Sequence, residues 1–187
     1  MMATPRRYLW LLRHAKTVTD PPEGGTDFDR VLAPRGRRDA TALGALFVSE
    51  RDRLGRPAAV FPQVALVSPA ARTAATAALA LADVASPPEC SMVPALYDAD
   101  PEDVLDHLRA LGDDLTSVMV VGHNPTAHAL ANGLIAPADK KGRDLVVRRG
   151  FPTCALGIYR LTVDHWSEMG RGTTRLVGLL TPPFDQK

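Results

Sequence analysis

At 187 residues, 45% hydrophobic and 23% charged, the chain has the size and composition of one globular domain with a sizeable core. A net charge of +1 gives no overall pull toward nucleic acid or an anionic membrane, so any preference for anions must be local. Two cysteines, Cys90 and Cys154, are too few for a disulfide framework or a four-cysteine zinc site, and reduced, packed thiols are expected.

Met1 to Arg7 precedes an apolar run of only Tyr8 to Leu12, too short for a signal-peptide core. No apolar run approaches the ~20 residues that cross a bilayer, so a cytoplasmic location is expected. Tyr8 to Leu12 itself reads as a strand buried on both faces. Asp20 to Arg30, rich in Pro, Gly and Asp, reads as a loop. Pro34 opens a helix to about Arg53, with Leu43, Leu46 and Phe47 on one buried face. Val64 to Val67 is a second buried strand, followed by Ser68-Pro69 and an alanine-rich helix to about Asp83.

Met92-Val93 suggests a short third strand, and Asp100-Pro101-Glu102 starts a capped helix. Ser117 to Val121 is another buried strand, ended by Gly122, with a helix beginning near Asn124-Pro125. Ala136 to Gly150 is polar and basic and reads as a solvated loop. Two β-rich segments, about Thr153 to Val163 and Thr173 to Leu180, could form a hairpin around Gly170 and Gly172. Strands alternating with helices predict a single α/β domain over residues 1–187. Its architecture is a three-layer sandwich with a mostly parallel central sheet and helices on both faces.

Three strands end in the same way, with a basic side chain directly after them. The residues are Arg13 and His14, then Ser68, Pro69 and Arg72, then His123, Asn124 and Pro125. Ligands of an open parallel sheet bind beyond the carboxyl ends of its strands, so the three clusters are expected on one edge. Ser68 capping a helix opened by Pro69 would put Arg72 in the first turn, facing the positive end of the helix dipole by ~0.3–1 kcal/mol. A bound phosphate would reverse that sign, and pairing with a surface carboxylate would explain the arginine equally well. Singly, His14 and His123 read more readily as structural histidines. No zinc motif surrounds either one, so no metal and no cofactor is expected.

Together, Arg13-His14-Ala15-Lys16, Ser68-Pro69-Ala-Ala-Arg72-Thr73 and Gly122-His123-Asn124-Pro125 resemble the signature of the histidine phosphatase superfamily, whose fold is phosphoglycerate mutase-like. The Arg-His-Ala-Lys form, with Phe28-Asp29-Arg30, Arg35-Gly36-Arg37 and Phe151-Pro152-Thr153-Cys154, looks like its SixA-type phosphohistidine phosphatase branch. The resemblance implies that His14 attacks phosphorus and that Arg13, Arg72 and His123 hold the phosphoryl oxygens. It extends to Arg30 and Asn124 as substrate-binding residues. It also makes Asp98 in Leu96-Tyr97-Asp98 the candidate general acid, with Asp20, Glu23 and Asp27 as alternatives.

The activity so implied is metal-independent dephosphorylation of phosphohistidine in a partner protein. A phosphatase of a small phosphomonoester and a phosphate-binding module without turnover are the competing expectations. Neither nucleic acid nor membrane is expected as a partner.

Overall fold

The computed structural model describes residues 5–49 and 61–184. Six strands form one sheet in the order β3-β2-β4-β1-β5-β6. They are β1 (Tyr8–Arg13), β2 (Val64–Val67), β3 (Glu89–Met92), β4 (Ser117–Gly122), β5 (Leu156–Leu161) and β6 (Thr174–Leu180). The first four are mutually parallel, whereas β5 runs antiparallel to both of its neighbours, β1 and β6, so that β6 points the same way as the first four. The mostly parallel α/β sheet is as expected, with the terminal hairpin as its antiparallel edge.

Among the described residues, five α-helices cover the sheet: α1 (Pro34–Ser49), α2 (Ala71–Leu81), α3 (Pro101–Arg109), α4 (Thr126–Gly133) and α5 (Lys140–Arg149). The expected end of α1 near Arg53 lies outside the described residues. Two apolar clusters explain the continuous hydrophobic run of β1. Leu9 and Leu11 pack with residues of α3, α4 and α5, while Trp10 and Leu12 pack with Leu43, Phe47, Ala77 and Ala80 of α1 and α2. A strand covered on both faces has no polar side to show. Trp10, Phe47 and Phe61 meet edge to face at centroid separations of 5.4–5.8 Å, which adds about 0.5–1.5 kcal/mol per pair beyond burial.

Two expectations change. The basic stretch is no loop: Asp139 caps α5 by accepting from the Gly142 amide, and α5 buries only Gly142 and Val146. Ser68 does not cap α2, which begins at Ala71 after an Ala70 N-cap. Both cysteines are unpaired, Cys90 exposed and Cys154 buried. Among the described residues, no helix is long and apolar enough to cross a membrane.

Candidate active site

Strand order builds the site. β4 lies between β1 and β2, so the residue after β4 stands between those that follow the other two. The ladder continues past the strand ends, with the His14 amide donating to Gly122 O and the Ser68 amide to Val121 O, each at 3.0 Å. β5 runs antiparallel to β1, so the segment leading into it, Phe151 to Ala155, reaches the same edge. There the Cys154 amide donates to His14 O at 3.0 Å.

The turn after β1 is pinned from α2 and α1. The Ala15 amide donates to Thr76 Oγ1 at 2.9 Å, and Thr76 in turn donates to Arg72 O. Gly36 of α1 lies directly against Lys16, where an added Cβ would meet the carbonyl oxygen at 2.0 Å. The His14 backbone is therefore held on several sides before its side chain does anything.

The imidazoles are in known hydrogen-bonding states, because their partners fix the tautomers. His14 Nδ1 lies 2.8 Å from Ala15 O, a group that can only accept, so Nδ1 carries the proton and Nε2 carries the lone pair. His14 is held down to about pH 4, chiefly by burial and then by the charges of Arg13, Arg72 and Arg30, against the Ala15 hydrogen bond that favours protonation. The neighbouring cations are thus the smaller cause.

His123 is fixed at both nitrogens. Arg72 Nε donates to its Nδ1 at 3.2 Å, so Nε2 bears the hydrogen and donates to Ser68 Oγ at 2.7 Å. Burial first, then the Arg72 charge, pushes His123 down to about 3. The rings of His14 and His123 lie 5.4 Å apart. Ser68, expected as a helix cap, is instead the buried end of a chain that runs Ser68, His123, Arg72.

The guanidinium groups differ in what they have left to give. Arg13 donates from Nη1 to Phe151 O at 3.0 Å, and its buried Nε has no hydrogen-bond partner. Burial lowers the Arg13 pKa. Arg30 is tied to Val18 O, Thr17 Oγ1 and Asp27 Oδ1. Arg72, itself buried, donates from Nη1 to Asp27 O at 2.6 Å and from Nη2 to Asp27 Oδ2 at 2.9 Å. Of the two readings of Arg72 left open by sequence, pairing with a carboxylate is the one seen in this geometry.

Sequence reasoning passed over Tyr97, whose ring touches His123 at 5.7 Å and whose hydroxyl donates to Asp27 Oδ2 at 3.2 Å. Asp98, its neighbour, is exposed and makes no hydrogen bond or ion pair among the described residues. Asn124 is likewise exposed and makes no hydrogen bond to the cluster among them. The structure thus brings together His14, Arg13, Arg30, Arg72 and His123, with Asp27 and Tyr97 added, and leaves Asp98 and Asn124 without such contacts. Among the described residues, no group of three His, Cys, Asp or Glu side chains could hold a metal ion.

Comparison with known proteins bears on the fold and the family. No family model matches the chain. An uncharacterised protein of Mycobacterium tuberculosis is 34% identical over 175 residues, covering 91% of this chain and 99% of that protein. A structure described as a candidate phosphohistidine phosphatase SixA of Agrobacterium tumefaciens is 30% identical, with a TM-score of 0.71 over 96% of this chain and 100% of that one. A similarly described SixA candidate of Nakamurella multipartitia is 27% identical, with a TM-score of 0.76 over 96% and 99% of the two chains.

Proposed function

Because this chain belongs to the SixA-type branch of the histidine phosphatase superfamily, we propose that it removes the phosphoryl group from a phosphohistidine carried on a protein. Histidine phosphatase activity follows from the family. The protein substrate, the residue roles and independence from metal are our reading of the site.

In that reading, His14 Nε2 attacks phosphorus as the bond to the substrate's imidazole nitrogen breaks. The departing imidazole takes up a proton, and water then attacks phospho-His14, restoring the free histidine and releasing inorganic phosphate. The observation that carries it is a half-buried His14 whose Nδ1 is committed to Ala15 O, which leaves Nε2 for attack, close enough to Arg13, Arg72 and Arg30 to feel their charges. Those groups supply the positive charge that a metal supplies in other phosphoryl-transfer enzymes. Arg13 holds a phosphoryl oxygen beside His14, and His123 orients Arg72.

Two features favour a protein over a small molecule. The connection between β1 and α1 carries only one short 3-10 turn, Asp27–Asp29, so no cap is inserted there. Arg30 is followed by Val31, 51% exposed, an apolar side chain beside the cluster. An imidazole also leaves more readily than an alkoxide, which suits a site where Asp98 makes no contact with the cluster.

The test is a panel of a phosphohistidine protein and of sugar, nucleotide and aryl phosphates, assayed with EDTA. Preferred turnover of the phosphohistidine protein is expected, with an acid-labile phosphoryl label on the enzyme that is absent in His14→Ala. Faster turnover of one small phosphomonoester would replace the protein substrate. Anion binding without turnover would leave a binding module.

A further inference from the structure

Arg72 can give a phosphoryl group only those donors that are free to turn to it. Its Nε is committed to His123 Nδ1, which leaves the Nη1–Nη2 end. Both of those nitrogens already donate to Asp27, one to its backbone carbonyl and one to its carboxylate. The second oxygen of the same carboxylate takes Arg30 Nη1 at 2.8 Å. One aspartate therefore holds the donors of two cations assigned above to the substrate.

We propose that Asp27 is a built-in competitor for the phosphoryl group: its carboxylate holds Arg72 Nη2 and Arg30 Nη1 and gives up these two donors when substrate oxygens take its place, while Arg72 Nη1 stays on the Asp27 carbonyl. The inference rests on the proposed role of Arg72 as a phosphoryl-binding residue.

Three observations support exchange over a permanent pair. The Asp27 side chain is 55% exposed, so water can take over its oxygens as it swings outward, while the buried Arg72 gains the incoming phosphoryl oxygen in exchange. Its charge is secure, because the Arg30 hydrogen bond, with the Arg72 charge and the Tyr97 hydroxyl, holds the carboxyl below its usual range. It therefore acts on Arg72 as an anion of the same kind as the ligand. Simultaneous occupancy would place a carboxylate and a phosphoryl dianion on one guanidinium, where like charges oppose each other.

The groups facing Asp27 are Arg72 from α2, Tyr97 after the Pro94–Leu96 turn, His123 after β4, and Arg30 in its own loop. Released together, Arg72 and Arg30 would reach the substrate in one step. On the way out, the returning carboxylate would compete with inorganic phosphate and keep product from saturating the site. Asp27 is in this sense a positioning residue that also sets the threshold for anion binding.

Calorimetric titration with inorganic phosphate, on wild type, Asp27→Asn, Asp27→Glu and Arg72→Ala, tests this. Asp27→Asn should bind phosphate about five- to ten-fold more tightly, the scale of one or two partly exposed ion pairs removed. Its KM and its inhibition constant for phosphate should fall together without a rise in kcat, and Asp27→Glu should return both toward wild type. If Arg72→Ala weakens phosphate binding while Asp27→Asn binds no more tightly than wild type, the competitor is overturned and the role of Arg72 stands. If Arg72→Ala leaves phosphate binding unchanged, the role of Arg72 falls and the competitor falls with it. Circular dichroism of each variant confirms that a folded protein was titrated.

Discussion

The Nδ1 atom of His14 lies 2.8 Å from the carbonyl oxygen of Ala15, its own neighbour in the chain. A carbonyl cannot donate, so this single contact orients the ring and sends the lone pair to Nε2. Nitrogen-15 NMR of the free enzyme at pH 7 should show a neutral His14 with the proton on Nδ1. Titration should place its pKa near 4. A ring charged at neutral pH would contradict a nucleophilic role.

Acid should destabilise the fold through the same two histidines. In the unfolded chain a histidine titrates near 6.5, whereas here His14 is lowered to about 4 and His123 to about 3. Between those values the unfolded chain binds more protons than the folded one, so stability falls as pH falls. The contribution is fully present above about pH 6.5, begins to drop below it, and is gone once pH has passed through 4 for His14 and 3 for His123. Urea melts at pH 7 and pH 5, where carboxylates stay largely ionised, should show the loss. The double variant His14→Gln, His123→Gln should show a flatter profile.

Ser68 should matter to turnover although it is buried. Removing its hydroxyl leaves the His123 Nε2 hydrogen unpaired and frees the ring that steadies Arg72. Ser68→Ala is expected to lower kcat/KM roughly three- to ten-fold, the scale of one hydrogen bond worth ~0.5–1.5 kcal/mol. Steady-state kinetics on an aryl phosphate would check it, and an unchanged kcat/KM would remove the Ser68–His123–Arg72 chain from the mechanism.

Gly36→Ala should be costly and Gly133→Ala harmless. A Cβ at Gly36 would lie 2.0 Å from the Lys16 carbonyl, backbone against helix, whereas one at Gly133 meets nothing within 4 Å. Overpacking of this kind costs about 1–3 kcal/mol or more, and Lys16 stands two residues from His14. Thermal melts should show a clear fall for Gly36→Ala with reduced activity, and no fall for Gly133→Ala.

What could be read from sequence was what burial writes into it. β1, β2 and β4 are covered on both faces, so their apolar runs mark them within a residue, and the basic side chains after them mark the edge where ligands bind. β3 is exposed along its whole length and lies at the sheet edge, so its pattern says little. α5 buries only Gly142 and Val146, too little to raise an apolar stripe above its five basic residues.

The roles around Arg72 were legible only in part. Its position in the first turn of α2 followed from the spacing, but the partner carboxylate comes from a loop 45 residues away in sequence. In the turn holding Leu96, Tyr97 and Asp98 there is no period to say which side chain faces inward. Tyr97 does so, and the acid next to it is exposed.

Arg13 leans on Phe151 O, the first residue beyond Gly150 at the end of α5 and the start of the antiparallel edge. The side chain next to His14 is thus completed by a carbonyl translated more than a hundred codons later. A ribosome-bound chain that had emerged only as far as α4 would carry every imidazole and guanidinium of the cluster yet lack this brace. Competence to bind an anion would then wait for the segment that leads into β5.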